Sequence, residues 1–240
     1  MLSARWRTAP GLALALVVTA AVAFAQDAPT PPGPAKPGAA AAGPTAAELA
    51  AKLEGVLADL SKRLGAFKTL RSRFEQKKYL EVFEDVVTSE GTLALAVPDK
   101  LRFEYVKPVK SVLTVNGRRA QRARTSRKGE TTRKVYSLAD EPITSITVQQ
   151  VFLWTRGDFA KARAGYDLVL VSEKPLVVRA TPKDERMKNV VTSIDLSFSD
   201  DRTKLTGLTL TERQMSRTVI SFVGVEIDPV LPEDLFKIDE

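Results

Sequence analysis

The sequence predicts an α+β domain that is mainly β: a strongly curved antiparallel sheet covered by helical pieces. Three observations predict it. Leucines recur at helical spacing once, between Leu49 and Leu64, and beyond them the apolar residues recur at every second position. Turn signals, among them Pro98-Asp99, Asn116-Gly117, Lys128-Gly129 and Asp200-Asp201, divide that long region into about ten short strands. A sheet of that size curls or closes rather than lying flat, and its concave face has to be covered.

The chain opens with Arg5 and Arg7, an uncharged apolar run from Leu12 to Phe24, and the small-x-small pattern Ala23-Phe24-Ala25. These read as an export signal over residues 1–25, cleaved before Gln26. The run falls short of the roughly 20 apolar residues of a spanning helix, with an uncleaved anchor as the alternative. Residues 26–44 are rich in Pro, Ala and Gly and read as a flexible linker. The folded domain is then 45–240, and the expected location is periplasmic.

Thr45 and Glu48 form a capping box for the first helix. Leu49, Leu53, Val56, Leu57, Leu60 and Leu64 give it one apolar stripe, and Gly65 ends it. The period then changes. Leu70, Ser72, Phe74 and Gln76 alternate with charged residues. Leu93, Leu95 and Val97 form a second alternating run, and Leu101, Phe103 and Tyr105 a third. Ser111–Val115 is a strand turning at Asn116-Gly117 into a return strand at 118–124, followed by Thr131–Leu138.

Ser145–Trp154 reads as a short helix stopped by Gly157, although its Thr and Val also suit a strand. Five further strands follow at 166–171, 176–180, 190–198, 205–211 and 218–225. The apolar tail of Leu231, Leu235, Phe236 and Ile238 should dock on the body. The helix at 45–64 is the main candidate cover for the concave face, and the segment near Trp154 the second.

Composition narrows the chemistry. The chain has no histidine and no cysteine. That excludes Ser-His-Asp and Cys-His nucleophile systems, the usual zinc sites, and disulfides. No phosphate-binding glycine loop follows a strand. The remaining enzymatic reading is a hydrolase using paired carboxylates such as Glu81, Glu84 and Asp85, Asp184-Glu185, Asp200-Asp201 or Glu233-Asp234. Most of these stand at turn signals, where solvated charge is the simpler reading. The expectation is therefore no catalytic residue, no metal and no cofactor.

The chain carries 36 Lys+Arg against 29 Asp+Glu; without Arg5 and Arg7 the balance is 34 to 29, or +5. An exported basic protein meets anionic lipid or an acidic protein face rather than nucleic acid. The basic residues concentrate in Arg118, Arg119, Arg122, Arg124, Arg127, Lys128, Arg133 and Lys134, opposed only by Glu130. On a strand, Arg118, Arg122 and Arg124 face one way. This segment is either a solvated hairpin that protects a sheet edge or a docking face for anionic lipid or an acidic partner.

Taken in order, these motifs resemble the periplasmic outer-membrane lipoprotein carrier (LolA) family. Phe74-Glu75-Gln76 is similar to the family's F-x-Q signature. Gly91-Thr92-Leu93, Pro98 through Arg102-Phe103-Glu104-Tyr105, and Pro108 are similar to its central block. Val115-Asn116-Gly117 resembles the turn that follows, Val178–Pro182 a later strand, and Leu235-Phe236, loosely, its ending.

The resemblance implies an incomplete barrel of antiparallel strands with a helical lid over an apolar cavity. The cavity would take the acyl chains of lipoproteins, with Phe74, Leu93, Leu95, Leu101, Phe103, Tyr105 and Trp154 as its lining. It further implies a monomer that receives cargo from an inner-membrane ATP-driven lipoprotein transporter and passes it to an outer-membrane acceptor. A lipid-binding or lipoprotein-sensing module of the same fold is the alternative. Many members carry an arginine that holds the lid just before the first proline of the central block; here that position is Val97.

Overall fold

The computed structural model describes residues 46–80, 85–212 and 216–239. The export signal, the linker and the Thr45 half of the capping box lie outside the described residues. Helix α1 runs Ala46–Leu64. Val56, Leu57, Leu60 and Leu64 of its stripe are buried, whereas Leu49 is 47% exposed and stands outside the core. Gly65 closes the helix as expected. Its amide donates to the Ser61 carbonyl at 3.0 Å, and a β-carbon there would lie 2.7 Å from that oxygen.

Six strands follow: β1 (Thr69–Leu80), β2 (Asp85–Ala96), β3 (Lys100–Lys107), β4 (Ser111–Asn116), β5 (Arg119–Thr125) and β6 (Thr131–Ser137). Gly117 takes φ +62° in the β4–β5 turn, the left-handed conformation that Asn-Gly favours. Helices α2 (Pro142–Thr155) and α3 (Phe159–Gly165) interrupt the sheet. The second half holds β7 (Tyr166–Glu173), β8 (Leu176–Pro182), the short α4 (Glu185–Lys188), β9 (Val191–Phe198), β10 (Leu205–Glu212) and β11 (Arg217–Ile227).

All eleven strands form one antiparallel sheet in the order β6-β5-β4-β3-β2-β1-β11-β10-β9-β8-β7. Sequence neighbours pair within each half, and the halves are joined where β1 pairs with β11. The sheet is not closed: β6 and β7 are its two edges. One side chain ties the joint. Asp228, at φ +54°, accepts from the amides of Lys68 at 2.6 Å and Thr69 at 3.1 Å, while its own amide donates to the Thr69 carbonyl at 2.8 Å.

The interior divides into two apolar clusters. Helix α1 packs Val56, Leu57, Leu60 and Leu64 against β8–β10 residues such as Val178, Ile194, Leu196 and Phe198. The other cluster belongs to β1–β5, with Val148, Val151 and Phe152 of α2 against it. Both helices expected as covers of the concave face serve as such, and they divide it: α1 covers the β8–β10 half and α2 the half with the aromatic strands.

Helix α2 forms although half its residues suit a strand. Pro142 stands at its first turn, where a missing amide hydrogen costs nothing. Gly157, at φ +59°, is its stop: a β-carbon there would meet Leu64 at 2.9 Å, and its carbonyl accepts from the Ser61 hydroxyl at 2.6 Å. The ends of α1 and α2 therefore meet at a glycine that admits no side chain. Helices α3 and α4 escape the sequence reading. Each has an aspartate cap: Asp158 accepts from the Lys161 amide, and Asp184 from those of Arg186 and Met187.

The tail docks as expected. Its 3₁₀ turn at Glu233–Phe236 lies against β3 and β4, and buries Phe236. Gln121 then exchanges two hydrogen bonds of 2.9 Å with Asp239.

Candidate functional site

Six of the seven residues read as lining meet in one place. Phe74, Leu93, Leu95, Leu101, Phe103 and Tyr105 belong to the β1–β5 cluster. Trp154 does not. It sits at the far end of α2, in the α1 cluster, with its ring edge-on to Tyr166 at 5.1 Å.

The strand registers place these residues on three successive rungs of the concave face. One rung runs Leu70, Leu95, Leu101, Val115, Ala120, Tyr136. The next runs Ser72, Leu93, Phe103, Leu113, Arg122, Lys134, and the third Phe74, Gly91, Tyr105, Ser111, Arg124, Thr132. The floor is therefore apolar over β1–β4 and cationic at the β5–β6 edge.

Three rings fill the middle of this floor. Phe74 stacks on Phe103 with centroids 4.5 Å apart, and Tyr105 stands edge-on to Phe74 at 5.1 Å. Gly91, opposite Phe74, supplies the room for them. A β-carbon there would lie 2.4 Å from the Phe74 ring and 2.0 Å from the Glu104 carbonyl. The Tyr105 hydroxyl donates to Gln76 Oε1 at 2.9 Å, and both side chains are buried. Burial pushes the Tyr105 phenol well above its ordinary range, so it stays a neutral donor.

The roof is α2, and no residue between Pro142 and Thr155 carries a charge. Val148 is buried in the cluster, while Ile143 is 58% and Ile146 47% exposed, so both sides of the helix are apolar. Its polar ties are few. Arg122 donates to the Thr144 hydroxyl at 3.2 Å, Lys134 to Glu141 at 2.7 Å, and the Tyr166 hydroxyl to Gln150 at 3.1 Å. The Thr147 and Thr155 hydroxyls donate to carbonyls one turn back within the helix. Val97 contributes packing at the edge of the cluster, and the arginine that reaches the roof is Arg122, from β5.

The basic hairpin is sorted by strand parity. Arg122 and Arg124 share a face, as expected, and the registers put it on the concave side with Ala120, whereas Arg118 falls in the turn before β5. Lys134 pairs with Glu141 and Arg133 with Asp239. Among the described residues, Arg118, Arg119, Arg122, Arg124, Arg127 and Lys128 make no ion pair.

The carboxylate pairs that fall within the described residues serve local structure. Asp201 organises its turn through Ser199 and Thr203, Asp184 caps α4, and Glu233 and Asp234 open the 3₁₀ turn. Hydrogen bonds from the Ser199 hydroxyl, then from Thr203, hold the Asp201 carboxyl down at about 2. Among the described residues no group of three or more His, Cys, Asp or Glu could hold a metal ion, and no helix is long and apolar enough to cross a membrane.

Comparison with protein families gives a match over residues 65–239 to the family described as outer membrane lipoprotein carrier protein LolA. The match includes every strand and leaves α1 outside. Curated proteins give no match. Solved structures give distant likenesses. The structure of MucB is 15% identical and covers 79% of this chain, with a TM-score of 0.48. A LolA superfamily protein from Nitrosomonas europaea is 10% identical, covering 77% of this chain and 97% of its own, with a TM-score of 0.41. The lipoprotein LppX of Mycobacterium tuberculosis is 10% identical, covering 74% and 98%, with a TM-score of 0.41. The chain spans 59 to 63% of the MucB chains it matches.

Proposed function

The chain belongs to the family of the outer membrane lipoprotein carrier protein LolA, and from that membership we propose that it is a non-catalytic periplasmic carrier that shelters acyl chains between its concave sheet and helix α2. The observation that carries the reading is the pairing of an apolar floor with an uncharged roof. Leu93, Leu95, Leu101 and Phe103 present hydrocarbon under a helix that is apolar on both sides and held by a few hydrogen bonds.

Energetics suit that role. Each buried methylene contributes about 0.8 kcal/mol, so one long acyl chain gains on the order of 10 kcal/mol from shelter. Entry requires α2 to move, because the floor residues are already covered. A roof apolar on both sides loses little when its inner face meets an acyl chain instead of the floor. Hand-over then needs only an acceptor with higher affinity for the same chain.

We read residues 1–25 as the export signal, 26–44 as the linker and 45–240 as the carrier domain. The cargo in this reading is lipoprotein, received from an inner-membrane ATP-driven transporter and passed to an outer-membrane acceptor. Native mass spectrometry of protein purified from the periplasm tests it. Bound mass of lipid or lipoprotein is expected. Protein that carries no lipid, and takes none up from lipoprotein-containing vesicles, would sink the carrier reading. Protein that holds lipid but never releases it to outer-membrane vesicles would be a sensor instead.

A further inference from the structure

We propose that Arg122 and Arg124, with Tyr136 beside them, form a headgroup site at the β5–β6 edge. It would take the anionic head, carboxylate or phosphate, of an amphiphile whose tail lies on Leu93, Phe103 and Leu113. The proposal rests on the acyl-binding reading above and adds a second class of ligand beside lipoprotein, a free anionic amphiphile.

The strand registers carry it. Leu93, Phe103, Leu113, Arg122 and Lys134 stand side by side on one rung of one face. Hydrocarbon gives way to positive charge between β4 and β5, and β6 beyond them is an open edge. A molecule with a tail on this rung and its head outward would find its charge at Arg122.

The second observation is uncompensated polarity. The three rungs of the floor contain no carboxylate, and the acid nearest their basic end, Glu141, already pairs with Lys134. Arg122 spends one Nη2 hydrogen on Thr144, but its Nε is buried with no hydrogen-bond partner. On the adjacent rung the Tyr136 hydroxyl is buried and equally unpartnered. Donors shut off from water and left unpaired are costly, and the one carboxylate whose charge reaches half-buried Arg122, Glu141, is hydrogen-bonded to Lys134 instead. An anionic oxygen answers both, and the guanidinium fork suits carboxylate and phosphate geometry. Outer-face arginines such as Arg119 lack the apolar floor beside them.

Titration calorimetry with the full chain decides it, using two matched pairs of ligands: palmitate against methyl palmitate, and lysophosphatidylglycerol against lysophosphatidylcholine. One charge-assisted hydrogen bond corresponds to roughly tenfold in affinity or more. The unaltered chain should prefer the anionic member of at least one pair by about that factor, and the pair showing the preference identifies the head as carboxylate or phosphate. Arg122→Gln with Arg124→Gln should abolish the preference and keep affinity for the uncharged tail; Arg119→Gln should leave the preference intact. Equal binding within both pairs overturns the headgroup site and leaves the acyl reading standing. No binding of any of the four overturns both. Inorganic phosphate binding as tightly as palmitate would make this a free-anion site and also overturns the proposal.

Discussion

Phe74 and Gly91 stand opposite each other on β1 and β2, and the ring of the first occupies the space that a side chain on the second would need. A strand interior ordinarily disfavours glycine. Here the missing β-carbon leaves room for the Phe74 ring, which stacks on Phe103, and that explains a glycine in the middle of an alternating run.

Gly91→Ala should therefore destabilise the domain by roughly 1–3 kcal/mol or more, as overpacking does. Urea unfolding measures it. Adding Phe74→Leu should recover only part of the loss, because the Glu104 carbonyl, 2.0 Å from the new β-carbon, cannot withdraw as a side chain can. Full recovery in the double variant would show that the ring alone made the glycine necessary.

The Tyr105–Gln76 hydrogen bond predicts an asymmetry. Tyr105→Phe leaves the buried Gln76 oxygen without this donor and should cost about 1–3 kcal/mol. Gln76→Leu added to it removes the stranded acceptor and should return much of that loss. A double variant no more stable than Tyr105→Phe would mean that Gln76 has another role in the interior.

The tail is part of the fold. Phe236 is 5% exposed against the outer side of β3 and β4, so Phe236→Ala should cost on the order of 3 kcal/mol. Thermal unfolding of that variant, and of a chain ending at residue 230, should show a lowered midpoint. An unchanged midpoint would mean the tail contributes nothing to the sheet.

Acid should act through two aspartates. Hydrogen bonds from Ser199 and Thr203 hold Asp201 at about 2, and the Lys68 and Thr69 amides hold Asp228 below its usual value of 3.8. Both carboxyls bind protons less readily folded than unfolded, so their stabilisation is fully present above about pH 4 and is lost as pH falls towards 2. Asp201→Asn and Asp228→Asn should each flatten the stability-against-pH curve in that window. For Asp228 the loss should also loosen the β1–β11 joint, seen as faster hydrogen exchange at Thr69. Parallel acid curves for variants and parent would refute the assignment.

Local patterns were informative wherever the cause was local. The period-2 runs placed Leu93, Leu95, Leu101, Phe103 and Tyr105 on one face, because side-chain direction on a strand alternates whatever lies beyond it. The same parity put Arg122 and Arg124 on a common face, though only the strand pairing showed it to be the inner one; Arg118 failed, falling in a turn one residue before the strand. Helices α3 and α4, of seven and four residues, are too short to show a period, and their caps Asp158 and Asp184 emerged only from the structure.

By itself, then, the sequence determined most of the strands, the first helix, the inner face of β1–β4 and, through the order of its motifs, the family. Only the tertiary structure decided that β1 pairs with β11, that α1 covers one half of the sheet and α2 the other, and that Trp154 leaves the aromatic floor for the α1 core. The reason is the range of the forces. Alternation tells which way a side chain points but not which distant strand will stand beside it. Pairs such as Arg71 with Glu226, 155 residues apart, form only once two complete meanders have edges to offer each other.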